Sequence, residues 1–254
     1  MNQIKIGDID FPHLQIVHSD NNLESTIYHD DKKAYKIFKG QNKNELKFKK
    51  TKIEILGDGI QLPNVVMPQD VILSEDYFWG YSMDYIQNSI PLYDFMTSNH
   101  EYFEIIRRLS QTIAKIHQDP RNIVIGDLNF DNIVMDKDNN FHIVDIDSCQ
   151  IAGIPNETIS QILMLYLTRT GISPKNINQN HDRLSLLLSV LTKLFNKHIL
   201  TVSMYEYDKK AERIHELKDI KKVLLEVKKS KTTPTVPYIH DIIPRKTIRV
   251  KKRI

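Results

Sequence analysis

The chain has 254 residues, 41% of them apolar, and a formal net charge of only +3. That length sustains one large domain or two lobes, the apolar share rules out a wholly disordered chain, and the near-neutral balance demands no nucleic-acid partner. The single cysteine, Cys149, excludes an internal disulfide and a cysteine-rich zinc site. No signal-like apolar run follows Met1, and no stretch approaches the ~20 apolar residues of a bilayer span, so a cytoplasmic protein without a membrane partner is expected.

Short β-like runs fill the first part of the chain: 14–17, 25–28 and 34–38, with an acidic turn at Asp30 and Asp31. Residues 42–56 contain no Gly or Pro and are rich in Lys and Glu, which predicts a helix ended by Gly57. Further strands are expected over 65–67, 71–73 and 80–86. From about Pro91 the pattern changes. Apolar residues at 102, 105, 106, 109, 113 and 116 have helical spacing. Two strand-like pieces follow, 132–135 and 141–144, around an Asp- and Asn-rich turn. Helices are expected over 159–167, 184–195 and 209–229. Pro234 and Pro237 then lead to a tail containing Arg245, Lys246, Arg249, Lys251, Lys252 and Arg253, a run read first as a solvated tail and otherwise as the one segment suited to anion or nucleic-acid contact. The order, β-rich with one helix and then helix-rich, is an α+β pattern with two lobes.

The most informative stretch carries Asp127 and Asn132, five residues apart, leading into a short hairpin that returns the chain at Asp145. A hairpin of this length brings its ends together, so the three polar groups converge. Carboxylate and amide oxygens suit Mg²⁺, which rarely receives an all-protein cage, and a further carboxylate can accept a proton from an attacking hydroxyl.

This constellation resembles the protein-kinase superfamily, whose catalytic loop H-R-D-L-x-x-x-N precedes D-F-G. The resemblance covers roughly residues 14–196. It implies a two-lobed protein-kinase-like fold, with a β-rich N-lobe over 1–86, a mostly helical C-lobe over 87–232 and an irregular basic tail over 233–254. It implies ATP and Mg²⁺ as cofactors. Asp127 matches the catalytic Asp, and Asn132 and Asp145 match the metal ligands. Lys36, in Ala34-Tyr35-Lys36, matches the phosphate-contacting strand lysine. Glu45 or Glu54 on the next helix would pair with it, Glu45 being preferred because Glu54 stands near the helix end. Tyr81 to Ile86 resembles the hinge, with Met83 as gatekeeper and the backbone of Asp84 and Ile86 facing adenine. Asp182 resembles the Asp that braces the catalytic loop, and is equally placed to be a helix N-cap. His117 is expected to support packing.

The chain also departs from the pattern. Asp20, Asn22 and Ser25 occupy the places of the three nucleotide-loop glycines. Ile125 and Gly126 replace H-R, Asn129 stands in place of a catalytic-loop lysine, and Asp147 replaces the Gly of D-F-G. No A-P-E motif is evident in 151–180. The resemblance implies phosphoryl transfer to a Ser/Thr hydroxyl of a protein, autophosphorylation included. Two alternatives stay open: a small-molecule kinase similar to aminoglycoside or choline phosphotransferases, and a non-catalytic kinase-like regulatory module.

Overall fold

In the computed structural model of the chain, which describes residues 1–17, 24–40, 42–59, 61–155, 158–173 and 177–243, the elements gather into two compact units. The first unit comprises 1–95 and 119–158, and the second comprises 96–118 with the described residues from 159 onward. The architecture is mixed α+β. Residue 86 lies within the first unit, which also takes in 119–158.

The first unit is built on a six-stranded sheet of β1 (Asn2–Lys5), β2 (Gln15–Ile16), β3 (Ser25–His29), β4 (Lys33–Phe38), β5 (Pro68–Ser74) and β6 (Tyr77–Asp84), in the order β1-β5-β6-β4-β3-β2. All neighbours are antiparallel except β1 and β5. The β3–β4 hairpin is closed by Asp30, whose Oδ1 accepts the backbone N–H groups of Lys32 and Lys33 at 2.7 Å each, as an Asp at a turn is suited to do. Ala34, Phe38, Val71, Leu73, Phe78, Tyr81 and Met83 from the strands and Ile53 from α1 (Lys43–Gly57) form the apolar core. The segment expected as a strand over 65–67 makes a single bridge, Val65 to Ile143, with Val66 N–H on the Ile143 carbonyl.

A second, three-stranded antiparallel sheet consists of β7 (Ile90–Pro91), β8 (Ile133–Met135) and β9 (Phe141–Ile143), in that order. Arg121 ties this part of the unit to α1. Its guanidinium grips Asp119 and donates to the carbonyls of Ile55 and Leu56, at the helix end where carbonyls lack intrahelical partners.

The second unit is helical. It contains α2 (Asn99–His117), α3 (Gln161–Thr170), α4 (Gln179–Phe195), α5 (Met204–Ala211), α6 (Glu216–Lys229) and α7 (Ile239–Ile242). Caps set the helix starts: Ser98 on α2, Ser160 on α3, and a capping box of Ser203 and Glu206 on α5. The single helix expected over 209–229 is two, α5 and α6, separated at 212–215, where neither Gly nor Pro marks the break. The N-cap of α4 is Asn178, in a capping box with His181, so Asp182 lies inside the first turn and is not the cap. Among the described residues no helix is long and apolar enough to cross a membrane.

Candidate functional site

The loop before β8 is shaped by its own polar side chains. Gly126 adopts φ +73°, and the Asp127 N–H closes onto the Ile125 carbonyl at 2.8 Å. A side chain at position 126 would disfavour that three-residue turn, which explains a glycine there. Asn129 then organises the loop. Its Oδ1 accepts the backbone N–H of Asp131 and of Asn132, at 2.8 and 3.0 Å, and its Nδ2 donates to Asp127 Oδ1 at 3.0 Å. Asn132 Nδ2 donates to the other Asp127 oxygen at 3.2 Å and to the Asp127 carbonyl at 3.0 Å. Asp127 is thus oriented by two amides. Burial pushes its carboxyl up from the ordinary value, against the pull of both amides.

The β8–β9 hairpin delivers the third group. Ile133 pairs with Ile143, and Val144 N–H donates to the Asn132 carbonyl at 2.9 Å, so Asn132 and Asp145 flank the last rung of the ladder. Asp145 takes a left-handed backbone conformation, φ +60° and ψ 44°, and starts a 3-10 turn over 146–148. Asp tolerates this region better than most residues.

Lys36 reaches this point from β4. Its Nζ contacts Asp145 Oδ1 and lies 2.7 Å from Asp147 Oδ1. Gly80 on β6 allows the approach of the two strands: a Cβ there would stand 1.9 Å from the Lys36 carbonyl oxygen. Asp147 is the hub of the cluster. Its Oδ1 also accepts from the Tyr81 hydroxyl at 3.1 Å, and its Oδ2 lies 3.7 Å from Lys49 Nζ of α1. Lys49 Nζ sits 4.9 Å from the centre of the Phe38 ring, a favourable cation–π distance.

The electrostatics separate the two acids. Asp147 is buried with two cations. Burial alone would raise its carboxyl, but Lys36, the bond to Asp145 and Lys49 overcome this and hold it far below the ordinary value. Burial and the negative charge of Asp147 push the Asp145 carboxyl up, against the pull of Lys36. Burial would lower the Lys36 amine, but Asp147, Tyr81 and Asp145 outweigh it and hold the amine well above the ordinary lysine value. A cation beside the Asp145 carboxylate, whose side chain is 41% exposed, would oppose that acid's rise.

The expected site residues divide accordingly. Lys36, Asp127, Asn129, Asn132 and Asp145 lie in the contacts just described. Met83 is buried on β6, opposite Ala34, and Asp84 ends the strand and accepts from Gln69 Nε2 at 2.6 Å. Ile86 packs against the core of the sheet. Ser25 is buried at the start of β3, opposite Phe38. Asp20 and Asn22 lie outside the described residues.

Glu45 is a correction. It is exposed in the first turn of α1, where it exchanges hydrogen bonds with Asn42: Glu45 N–H donates to Asn42 Oδ1 at 3.0 Å, and Asn42 N–H to Glu45 Oε2 at 3.4 Å. Its carboxylate is committed to capping the helix, and the acid on Lys36 comes instead from Asp147. Glu54, the other helical candidate, lies near Lys50, 3.7 Å away. Motif reading passed over Lys49, and it took Asp147 only as a replaced glycine and Tyr81 only as the start of the hinge segment, without a place beside Lys36 for either. The Asp-x-Asp repeat at 145 and 147 was the available signal.

Asn132 and Asp145 fit a hard divalent cation by donor chemistry. Asn132 spends its amide nitrogen on Asp127, which leaves its amide oxygen to coordinate, and Asp145 presents a partly exposed carboxylate beside it. Among the described residues no cluster of three His, Cys, Asp or Glu side chains forms an all-protein metal cage. Comparison with protein-family models and with curated proteins finds no match for the chain.

Proposed function

We propose that the chain is an ATP- and Mg²⁺-dependent phosphotransferase of protein-kinase-like fold, transferring the γ-phosphoryl group to a Ser/Thr hydroxyl of a protein, itself included. The observation that supports this most is the meeting of Lys36 with Asp145, 109 residues apart, beside an Asp127 held by the two amides of its own loop. A lone Asx-rich hairpin has no reason to receive a strand lysine.

In this reading Asp127 orients the acceptor hydroxyl and takes its proton as the oxygen attacks the γ-phosphorus. The bond to ADP breaks and ADP leaves. The raised carboxyl of Asp127 suits it to accept that proton. Asn129 and Asn132 keep Asp127 in one orientation. Lys36 neutralises charge on the phosphates. Asn132 and Asp145 would hold Mg²⁺, which when bound supplies charge neutralisation on the phosphoryl oxygens. The end of β6, from Met83 to Ile86, would receive adenine. Positioning and charge neutralisation provide the catalysis, because phosphoryl transfer has a loose transition state. The setting is the cytoplasm, where ATP and Mg²⁺ are at hand.

The test is incubation of the purified chain with γ-labelled ATP and Mg²⁺, beside Asp127→Ala, with and without a generic protein acceptor. Label that appears with the wild-type chain and disappears with Asp127→Ala is the expected result. Equal label in both removes Asp127 from the chemistry, and no label in either removes the reading.

A further inference from the structure

Lys36 has two acidic partners that differ in burial. The Asp145 side chain is 41% exposed and that of Asp147 is 2% exposed. Asp147 is in addition bonded to the Tyr81 hydroxyl and faces Lys49, whose side chain is 3% exposed. Asp147 therefore faces two buried cations, and α1 directs a lysine, not a glutamate, at the cluster. A cation at Asp145 would compete with Lys36 for the same carboxylate. Lys36 then keeps its place only if its second partner holds it alone.

We infer that Asp147 is the positioning residue that anchors Lys36 while Asp145 exchanges between Lys36 and a divalent cation, so that the lysine's acidic brace comes from the turn after β9 and α1 contributes a counter-cation. Asp147 is too enclosed to reach a ligand itself, and besides its bond to Asp145 it is held by Lys36 at 2.7 Å, Tyr81 at 3.1 Å and Lys49 at 3.7 Å. The kinetic side of this inference rests on the phosphoryl-transfer reading; the structural side does not.

Two measurements decide it. The first is a pair of double-mutant cycles read by thermal unfolding, Lys36→Met with Asp147→Asn and Lys36→Met with Asp145→Asn. Asp147→Asn is expected to lower Tm by roughly 10 °C, because it removes the buried negative charge that faces Lys36 and Lys49, and Asp145→Asn by less than half as much. The Tm loss of Lys36→Met/Asp147→Asn should fall well short of the two single losses added together, and that shortfall should exceed the one in the Asp145 cycle. The second is steady-state kinetics of the folded variants. Asp147→Asn should raise KM for ATP about tenfold while leaving measurable kcat, and Asp145→Asn should act mainly on kcat. A purely structural Asp147 would leave the KM of the folded fraction unchanged.

If Asp147→Asn does not fold, Lys49→Met/Asp147→Asn, which removes a cation with the anion, replaces it in both measurements. Coupling to Asp145 equal to or larger than that to Asp147, or an unchanged KM in the Asp147 variant, overturns the inference. If the wild-type chain transfers no phosphoryl group, the functional reading falls, and the coupling comparison alone still decides whether Asp147 anchors Lys36.

Discussion

Each unit contains a buried polar cluster centred on one side chain, His117 in the helical unit and Lys36 in the sheet unit, and these two are built to different ends. In the helical unit, His117 of α2 is enclosed with its side chain 1% exposed. Its Nε2 lies 2.9 Å from Asp182 Oδ2, its Nδ1 lies 2.9 Å from the Tyr238 hydroxyl, and its carbonyl accepts from Gln179. The Arg183 guanidinium covers the Tyr238 ring at 4.9 Å. Both imidazole nitrogens are used, and Asp182 is fully buried. In the sheet unit, the cluster around Lys36 is equally buried at Asp147 but opens at Asp145, Asp127 and Asn132, which are half-buried or partly exposed. A closed network holds helices together, whereas one with exposed oxygens at its rim has somewhere to receive a ligand.

The comparison is broken or sharpened by substitution on each side. The largest effect is expected for Asp145→Ala, which should reduce phosphoryl transfer roughly a thousandfold while the fold persists, as followed by labelled-ATP assay and circular dichroism. Substantial remaining transfer would make the open rim as structural as the closed network. Tyr238→Phe, on the closed side, removes the hydroxyl that partners His117 Nδ1. It should cost about 1 kcal/mol in denaturant unfolding and leave transfer unaltered. Loss of activity there would show that the closed network also serves the chemistry.

The hairpin that presents Asp145 has a pH signature. Burial would raise the Asp136 carboxyl, but bonds from His142, Asn140 and Asp138 overcome it and hold the carboxyl at about 2, below its ordinary 3.8. A lowered folded-state value contributes stability above the unfolded value and loses it as pH falls from about 4 through about 2. The contribution is about 1 kcal/mol after screening by solvent. Asp136→Asn should flatten the unfolding free energy across that window; an unchanged slope would remove Asp136 as its source. The smallest effect is expected for Glu45→Ala, which removes a helix cap worth about 0.5–1 kcal/mol and should leave transfer intact. Were Glu45 the brace of Lys36, the same substitution would abolish transfer.

The legible parts of the site were those fixed by local periodicity. Asp127, Asn132 and Asp145 share one loop and one short hairpin, and the alternation around Ile133 and Ile143 sets their register. Lys36 was legible because Ala34, Ile37 and Phe38 mark a buried strand. The brace was not, because its partners come from distant segments and carry ambiguous residue types. Asp147 reads as a lost glycine until the 3-10 turn aims it inward, and Lys49 reads as one more surface charge on a lysine-rich helix. Glu45 was misread although its own signal was present: Asn42 three residues earlier makes an N-terminal capping pattern, which competes directly with a role on Lys36. Similar local ambiguity joined α5 and α6 into one expected helix and placed the start of α4 too late, since polar first turns carry little apolar periodicity.

Calorimetric titration of Mg²⁺-ATP into the wild-type chain and into Lys36→Met tests the central claim most directly, because the sequence has no glycine between residues 8 and 39 and the proposed nucleotide binding rests on the Lys36 cluster. The expected result is saturable binding by the wild-type chain, weakened at least about tenfold by Lys36→Met. Absence of binding by the wild-type chain, or equal binding by both, would contradict the account.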